Sequence, residues 1–207
     1  MTKRESTFGN MVLTLFAVTL IAAAALGFVN DLTKDAIEAA KLQAKLNAIK
    51  SVLPAFEEIK GEYKLATQSG QDSLEVYPAY NGDSLVGFAI KSFTNTGFSG
   101  YISIMAGIGA DGNFTGDEVL EHKETPGLGS KMGVWFRNEK KPKQNVLGRN
   151  PKSTKFQVSK DGGEIDAITA STISSRAFLD ALNKAYGAFE KTNASTDADN
   201  ELTKEEV

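Results

Sequence analysis

A chain of 207 residues with ordinary apolar and charged fractions accommodates one compact domain with appendages, not two large domains. Its formal net charge of −3 argues against a nucleic-acid partner, which would need a basic stripe or patch. Cysteine is absent and histidine occurs once, at His122, which removes disulfides, thiolate-held clusters, thiol nucleophiles, c-type haem and any ordinary zinc site. No G-x-S-x-G elbow supports a serine triad around His122, so redox chemistry in this chain requires an organic cofactor.

The N-terminus carries Lys3 and Arg4, then no charge from Ser6 to Asn30, with an apolar core from Met11 to Val29. About 20 such residues in a helix cross a hydrocarbon layer of about 30 Å. Two readings fit: a retained anchor, favoured by the continuation through Leu26, Phe28 and Val29, or a cleaved signal peptide with the alanines 22–25 as its small-residue site. Both leave Lys3 and Arg4 in the cytoplasm and send the rest of the chain outside. Residues 1–30 are therefore read as cytoplasmic N-terminus and transmembrane helix.

Asp31 to Val52 is rich in good helix formers, with Ile37, Leu42, Leu46, Ile49 and Leu53 roughly on one stripe and Pro54 as the stop. This predicts an amphipathic connecting helix over 31–54. The period then changes. Ser73–Tyr77, Ser84–Phe93, Gly100–Ile108 and Phe114–Leu120 read as strands, with Asn81-Gly82 and Asp111-Gly112 as tight turns, so the strands pair antiparallel. A Gly- and Pro-rich segment covers Glu124 to Gly133. The basic-rich stretch Arg137 to Lys143 reads as a solvated loop. Lys155–Val158 and Glu164–Ile168 suggest two more short strands, and Ser174 to about Lys191 a final helix with Phe178, Leu182, Ala185, Tyr186 and Phe189 buried. The predicted class is α+β: one antiparallel-sheet domain over 55–192 with flanking helices, preceded by the membrane helix and followed by an acidic, disordered tail over 193–207. The sequons at Asn113 and Asn193 are assigned no role, and Trp135 and Phe136 read as core residues before they read as cover for a ligand.

Two segments can carry chemistry. In the first, Glu164 to Phe178, a strand gives way to the small hydroxylated residues Thr169, Ser171, Thr172, Ser174 and Ser175, and then to a helix. Free amides at that helix start and the helix dipole suit a phosphate. An N-cap needs only one or two such residues, and a cap remains the plain alternative. In the second, Glu124-Thr125-Pro126-Gly127-Leu128-Gly129, glycines and proline allow close approach of backbone to a flat ring, and an ordinary turn is the plain alternative. A dinucleotide fingerprint is excluded because Met132 stands where a third glycine is needed.

Asp166-x-x-Thr169-Ala170-Ser171-Thr172 resembles the flavinylation motif D-x-x-[S/T]-G-A-T of the FMN-binding domain family. Glu124 to Gly129 resembles that family's E-T-P-G-L-G loop, and Gly97 to Ile102 an upstream segment, in the same order. The resemblance implies FMN as cofactor, joined by a phosphoester to Thr172 by a separate flavin transferase that uses FAD and a divalent metal. Asp166 and Thr169 would orient the segment, and Ser171, Glu124, Thr125, Gly127 and Leu128 would contact the cofactor. The chain departs from the motif at Ala170, tolerable if its φ is negative, and at Ser171, which adds a competing hydroxyl. Within the family the chain is most similar to the G subunits of Rnf-type electron-transport complexes, with the C subunits of sodium-pumping NADH:quinone oxidoreductases as the nearest alternative. That likeness implies a single-pass protein of the bacterial inner membrane with its domain outside the cytoplasm. It would carry electrons beside the other Rnf-type subunits while ferredoxin/NAD electron transfer drives ion movement. No catalytic acid or base and no metal ligand is expected on this chain. A flavin-free anchored scaffold is the remaining reading, in which the hydroxyl run is only a cap.

Overall fold

The computed structural model describes residues 7–66 and 73–202. Helix α1 covers Phe8–Val52, and six strands follow: β1 Glu58–Ile59, β2 Tyr63–Ala66, β3 Ser73–Asn81, β4 Ser84–Gly97, β5 Gly100–Gly109 and β6 Phe114–His122. A short helix α2, Met132–Trp135, and a long helix α3, Thr172–Leu202, complete the chain. Contacts divide it into two compact units, one up to Ala44 and one from Lys45 onward.

The first unit is helical from Phe8 onward, and α1 contains a stretch long and apolar enough to cross a membrane by length and composition. The predicted anchor and connecting segment form one helix because no glycine pair or proline interrupts residues 28–53. Ile37 does not share the predicted stripe. At about 100° per residue it lies some 140° from Leu42, and Ile37, Leu42 and Leu46 are all exposed.

In the second unit the sheet order is β1-β3-β4-β5-β6, with β2 also pairing β3, and all pairs are antiparallel. The four predicted strands are present, and the two predicted turns join β3 to β4 and β5 to β6, with Gly82 and Gly112 at positive φ. β1 and β2 escape the sequence reading because they are short and mostly exposed. One face of the sheet packs against α3 through Val76, Phe88, Ile90, Ile104, Phe178 and Leu182. The other receives the last turn of α1, where Ala48, Ile49 and Val52 meet Tyr77, Ala89 and Met105. Gly107 and Gly116 permit that approach, since a Cβ on either would run into the Val52 backbone. Thr115 Oγ1 donates to Val52 O at 2.7 Å there.

Two predicted strands are corrected. Residues 155–158 and 164–168 form only an isolated parallel bridge, Val158 to Ile165. Their apolar side chains Phe156, Val158, Ile165 and Ile168 are core residues under α3, so burial without a ladder explains the apolar runs. Helix α3 starts at Thr172 and continues past Lys191 to Leu202 where a disordered tail is predicted; no glycine or proline between Asn193 and Leu202 stops it. Residues 203–207 of that tail lie outside the described residues. Phe136 is fully buried and stacks on Phe178 at 4.7 Å, as a core residue should.

Candidate functional site

Three segments far apart in sequence converge on one cleft: the β4–β5 turn, the loop after β6 and the start of α3. The cleft is ≈ 330 Å³ and is lined by Phe98, Glu124, Thr125, Leu128 and residues Ala170 to Ser174. That size lies within the range of about 300–1,000 Å³ common for small-molecule sites.

Glu124 ties the three segments together. The residue is 4% exposed, although it belongs to a loop. Oε1 accepts from the backbone N–H of Ser99 at 3.0 Å, and Oε2 accepts from Ser174 Oγ at 2.5 Å. The fit is tight on both sides. A Cβ on Gly129 would lie 2.6 Å from Oε2 and one on Gly97 2.7 Å from Oε1, so both glycines are required by space. His122 serves the same loop, its Nδ1 accepting from Glu124 N at 3.1 Å, which gives the single histidine a structural role. The loop closes through Leu128 N and Ser130 N, both donating to Thr125 O.

The start of α3 is built by hydroxyls. Ser175 Oγ accepts from Ile168 N at 2.9 Å and donates to Ser171 O at 2.9 Å, folding 168–175 into a compact turn. Ser171 Oγ and Ser174 Oγ are hydrogen-bonded at 2.9 Å. Among the described residues, Thr172 Oγ1 has no such partner, and its side chain lines the cleft, half-buried. Thr172, Ile173 and Ser174 supply the amides that begin the helix, which no earlier helical carbonyl can satisfy. The helix dipole adds partial positive charge at the same point. Ala170 has φ +60°, so the condition of a negative φ is not met; alanine occupies a left-handed position that favours glycine.

The predicted site residues therefore separate into two groups. Glu124, Thr125, Leu128, Ser171 and Thr172 line the cleft. Gly127, Asp166 and Thr169 are not among its walls. Gly127 N donates to Ser130 Oγ, within the turn. Asp166 braces the segment from behind: Oδ1 accepts from Ser159 Oγ at 2.8 Å, its N–H donates to Lys143 O, and its carbonyl accepts from Trp135 Nε1. Thr169 is exposed on the turn before Ala170. Sequence reasoning missed Phe98 and Ile173, whose exposed apolar side chains form the rim with Leu128. Their signal was an apolar residue at a turn tip and another in the first turn of a helix. No group of His, Asp and Glu suited to a metal occurs among the described residues.

Apolar rim, buried carboxyl hub and a helix start with a free hydroxyl suit a molecule with a flat ring and a phosphate, which is the chemistry of FMN. Residues 97–187 match the FMN-binding domain family, and FMN is the cofactor of this domain. Over most of its length the chain is similar to curated relatives. It is 33% identical to the G subunit of the Na(+)-translocating ferredoxin:NAD(+) oxidoreductase complex of Acetobacterium woodii, over 86% of this chain and 89% of the relative. It is 30% identical to the G subunit of the ion-translocating oxidoreductase complex of Aliivibrio fischeri, over 85% and 86%. It is 34% identical to the G subunit of the same type of complex from Yersinia pestis, over 81% and 85%. The shared length takes in the cleft segments, so the chain belongs to the family of G subunits of ion-translocating oxidoreductase complexes, flavoproteins built on an FMN-binding domain.

Proposed function

We propose that FMN is attached to Thr172 through a phosphoester and that the domain serves as an electron carrier within an Rnf-type complex. The observation that carries this reading is the division of labour among the hydroxyls. Ser171, Ser174 and Ser175 are each engaged by the protein, while Thr172 faces the cleft at the helix start with no partner among the described residues. A phosphate there gains the free amides and the dipole. Ser171, the competing hydroxyl, is held by Ser174 and is the poorer acceptor for modification.

Bound flavin supplies one- and two-electron redox chemistry, and the chain supplies its position. Phe98, Leu128 and Ile173 exclude water from an apolar ring, and Glu124 fixes the distance between the two loops and α3. Asp166 and Thr169 hold and display the segment to the flavin transferase. The cleft is open at its rim, which leaves a ring edge accessible to a redox partner. By the names of its relatives, the partners are the other subunits of the complex, working between ferredoxin and NAD and moving an ion. Helix α1 is the membrane anchor, with Lys3 and Arg4 on the cytoplasmic side and the domain outside. Covalent attachment suits that location, where lost FMN is not readily replaced.

The test is intact mass under denaturing conditions of protein purified from its native host, beside a Thr172→Ala variant. A gain of one FMN less one water in the native chain, absent from the variant, is expected. An unmodified native chain would overturn the covalent reading, and a gain that persists in the variant would move the bond to another hydroxyl.

A further inference from the structure

The wall of the cleft holds a chain of three groups whose hydrogen bonds run in one direction only. Glu124 Oε2 accepts from Ser174 Oγ at 2.5 Å, and Ser174 Oγ lies 2.9 Å from Ser171 Oγ. An ionised carboxylate has no proton to give, so the Ser174 hydroxyl proton is committed to Glu124. Ser171 must then donate to Ser174. Ser174 and Glu124 are buried, whereas Ser171 is half-buried and lines the cleft. The chain therefore leads from the cleft to a buried carboxyl group. Its outer link, Ser171, is one of the two residues by which this sequence departs from the D-x-x-[S/T]-G-A-T motif, which has alanine there.

Two neutral donors, not a cation, hold this carboxyl group. Among the described residues it bonds to Ser99 N, at 3.0 Å from the β4–β5 turn, and to Ser174 Oγ. On its own loop, His122 turns Nδ1 to the Glu124 backbone N–H, and Lys123 is exposed. Lys131, two residues after Gly129, is exposed as well. The first charged residue of α3, Arg176, is exposed and bidentate to Asp161. A buried carboxylate held in this way resists a second negative charge in the same cleft, because the surroundings that cover it strengthen the repulsion. Taking up a proton removes that repulsion.

We propose that Glu124 takes up one proton when the flavin in the cleft is reduced and releases it on reoxidation, with Ser171 and Ser174 as the relay. This rests on the reading of the cleft as the FMN site. The electrons come from a redox partner in the complex and stay on the ring. The proton comes from water at the cleft. It binds Ser171 Oγ, the Ser171 hydroxyl proton passes to Ser174 Oγ, and the Ser174 hydroxyl proton passes to Glu124 Oε2. Carboxylate becomes carboxylic acid, both serines keep their composition, and reoxidation runs the chain backwards. Electron passage through the domain is thereby tied to a proton on the protein, apart from any proton held by the ring.

Infrared difference spectra, photoreduced minus oxidised, of the flavin-loaded full-length chain across pH 5 to 8 test this, beside Glu124→Gln and Ser171→Ala. Expected in the native protein is the C=O band of a protonated carboxylic acid that appears on reduction, shifts in heavy water and is absent from Glu124→Gln. In the pH range where the band appears, proton uptake per flavin should be one lower in Glu124→Gln. The slope of the midpoint potential should then be shallower by about 30 mV per pH unit, the equivalent of one tenfold step for a two-electron couple. Ser171→Ala puts back the alanine of the motif; it should keep the band but slow its rise at least about tenfold, as loss of a positioned proton-transfer group does. No carboxylic acid band at any pH in that range, or a band that survives in Glu124→Gln, would overturn the proposal, and an unchanged rate in Ser171→Ala would overturn the relay. The visible flavin spectrum and the intact mass of each sample report loading and attachment separately, so a misfolded variant, or a flavin held without the Thr172 bond, is distinguished from failure of the proton reading.

Discussion

Ser174 Oγ donates to Glu124 Oε2 at 2.5 Å, joining the first turn of α3 to the loop after β6 across fifty residues of chain. Both groups are buried, and the same carboxyl group holds the β4–β5 turn through Ser99 N. One side chain thereby sets the width of the cleft.

Replacing Glu124 should separate packing from electrostatics. Glu124→Ala leaves Ser174 without its acceptor and opens space beside Gly129, with an expected loss of about 2 kcal/mol of domain stability by denaturant unfolding. Glu124→Gln keeps the shape but loses one accepting oxygen and the carboxyl charge. In the flavinylated protein it should raise the flavin midpoint potential by about 30 mV, equivalent to about 1.4 kcal/mol for a two-electron couple. An unchanged potential would leave Glu124 with a purely structural role.

Ala170→Gly should stabilise the domain. Alanine at a left-handed φ costs about 1–2 kcal/mol, and glycine gives back about 0.4–1 kcal/mol in unfolded-chain entropy. The expected net gain is about 0.5–1 kcal/mol, or roughly 1–4 °C in Tm for a domain of this size. Thermal unfolding of the two proteins side by side decides it; a lower Tm for the glycine variant would show that the turn draws rigidity from alanine.

Two carboxyl groups give the domain opposite pH responses. Burial pushes Glu75 up, but hydrogen bonds from Lys91, Tyr77 and Lys45 outweigh it and hold its carboxyl group at about 2. Its contribution to stability is present above pH 4.5 and lost as pH falls toward 2, a loss that Glu75→Gln removes. Asp117 behaves the other way. Burial raises it to about 6 despite the neighbouring Arg137, and its Oδ1 has no hydrogen-bond partner among the described residues. The folded state holds that proton more tightly than the unfolded chain, so stability from this group falls as pH rises from 3.8 to about 6. Urea unfolding at pH 3, 5 and 7 should show a steeper acid loss for Asp117→Asn, which lacks the compensating slope, and a shallower one for Glu75→Gln.

Composition and short-range pattern carried much of the outcome. The uncharged apolar run from Met11 to Val29 lies within one helix that is long and apolar enough to cross a membrane by length and composition. Alternation broken at Asn81-Gly82 and at Asp111-Gly112 reads as hairpins because glycine takes the positive φ that a tight reversal needs. The three cleft segments were legible as motifs because glycine, proline and a hydroxyl run are local requirements. Other features were set by partners distant in the chain. Phe156, Val158, Ile165 and Ile168 look like strands in sequence, yet α3 buries them without a ladder, because an apolar run records burial and not hydrogen bonding. The positive φ of Ala170 and the hidden carboxyl group of Glu124 arise only when α3, the β4–β5 turn and the loop after β6 meet. Thr172 stands apart from its neighbouring hydroxyls for the same reason: a hydroxyl is free or engaged according to what the fold brings within hydrogen-bond reach, and Ser174 finds its acceptor fifty residues away.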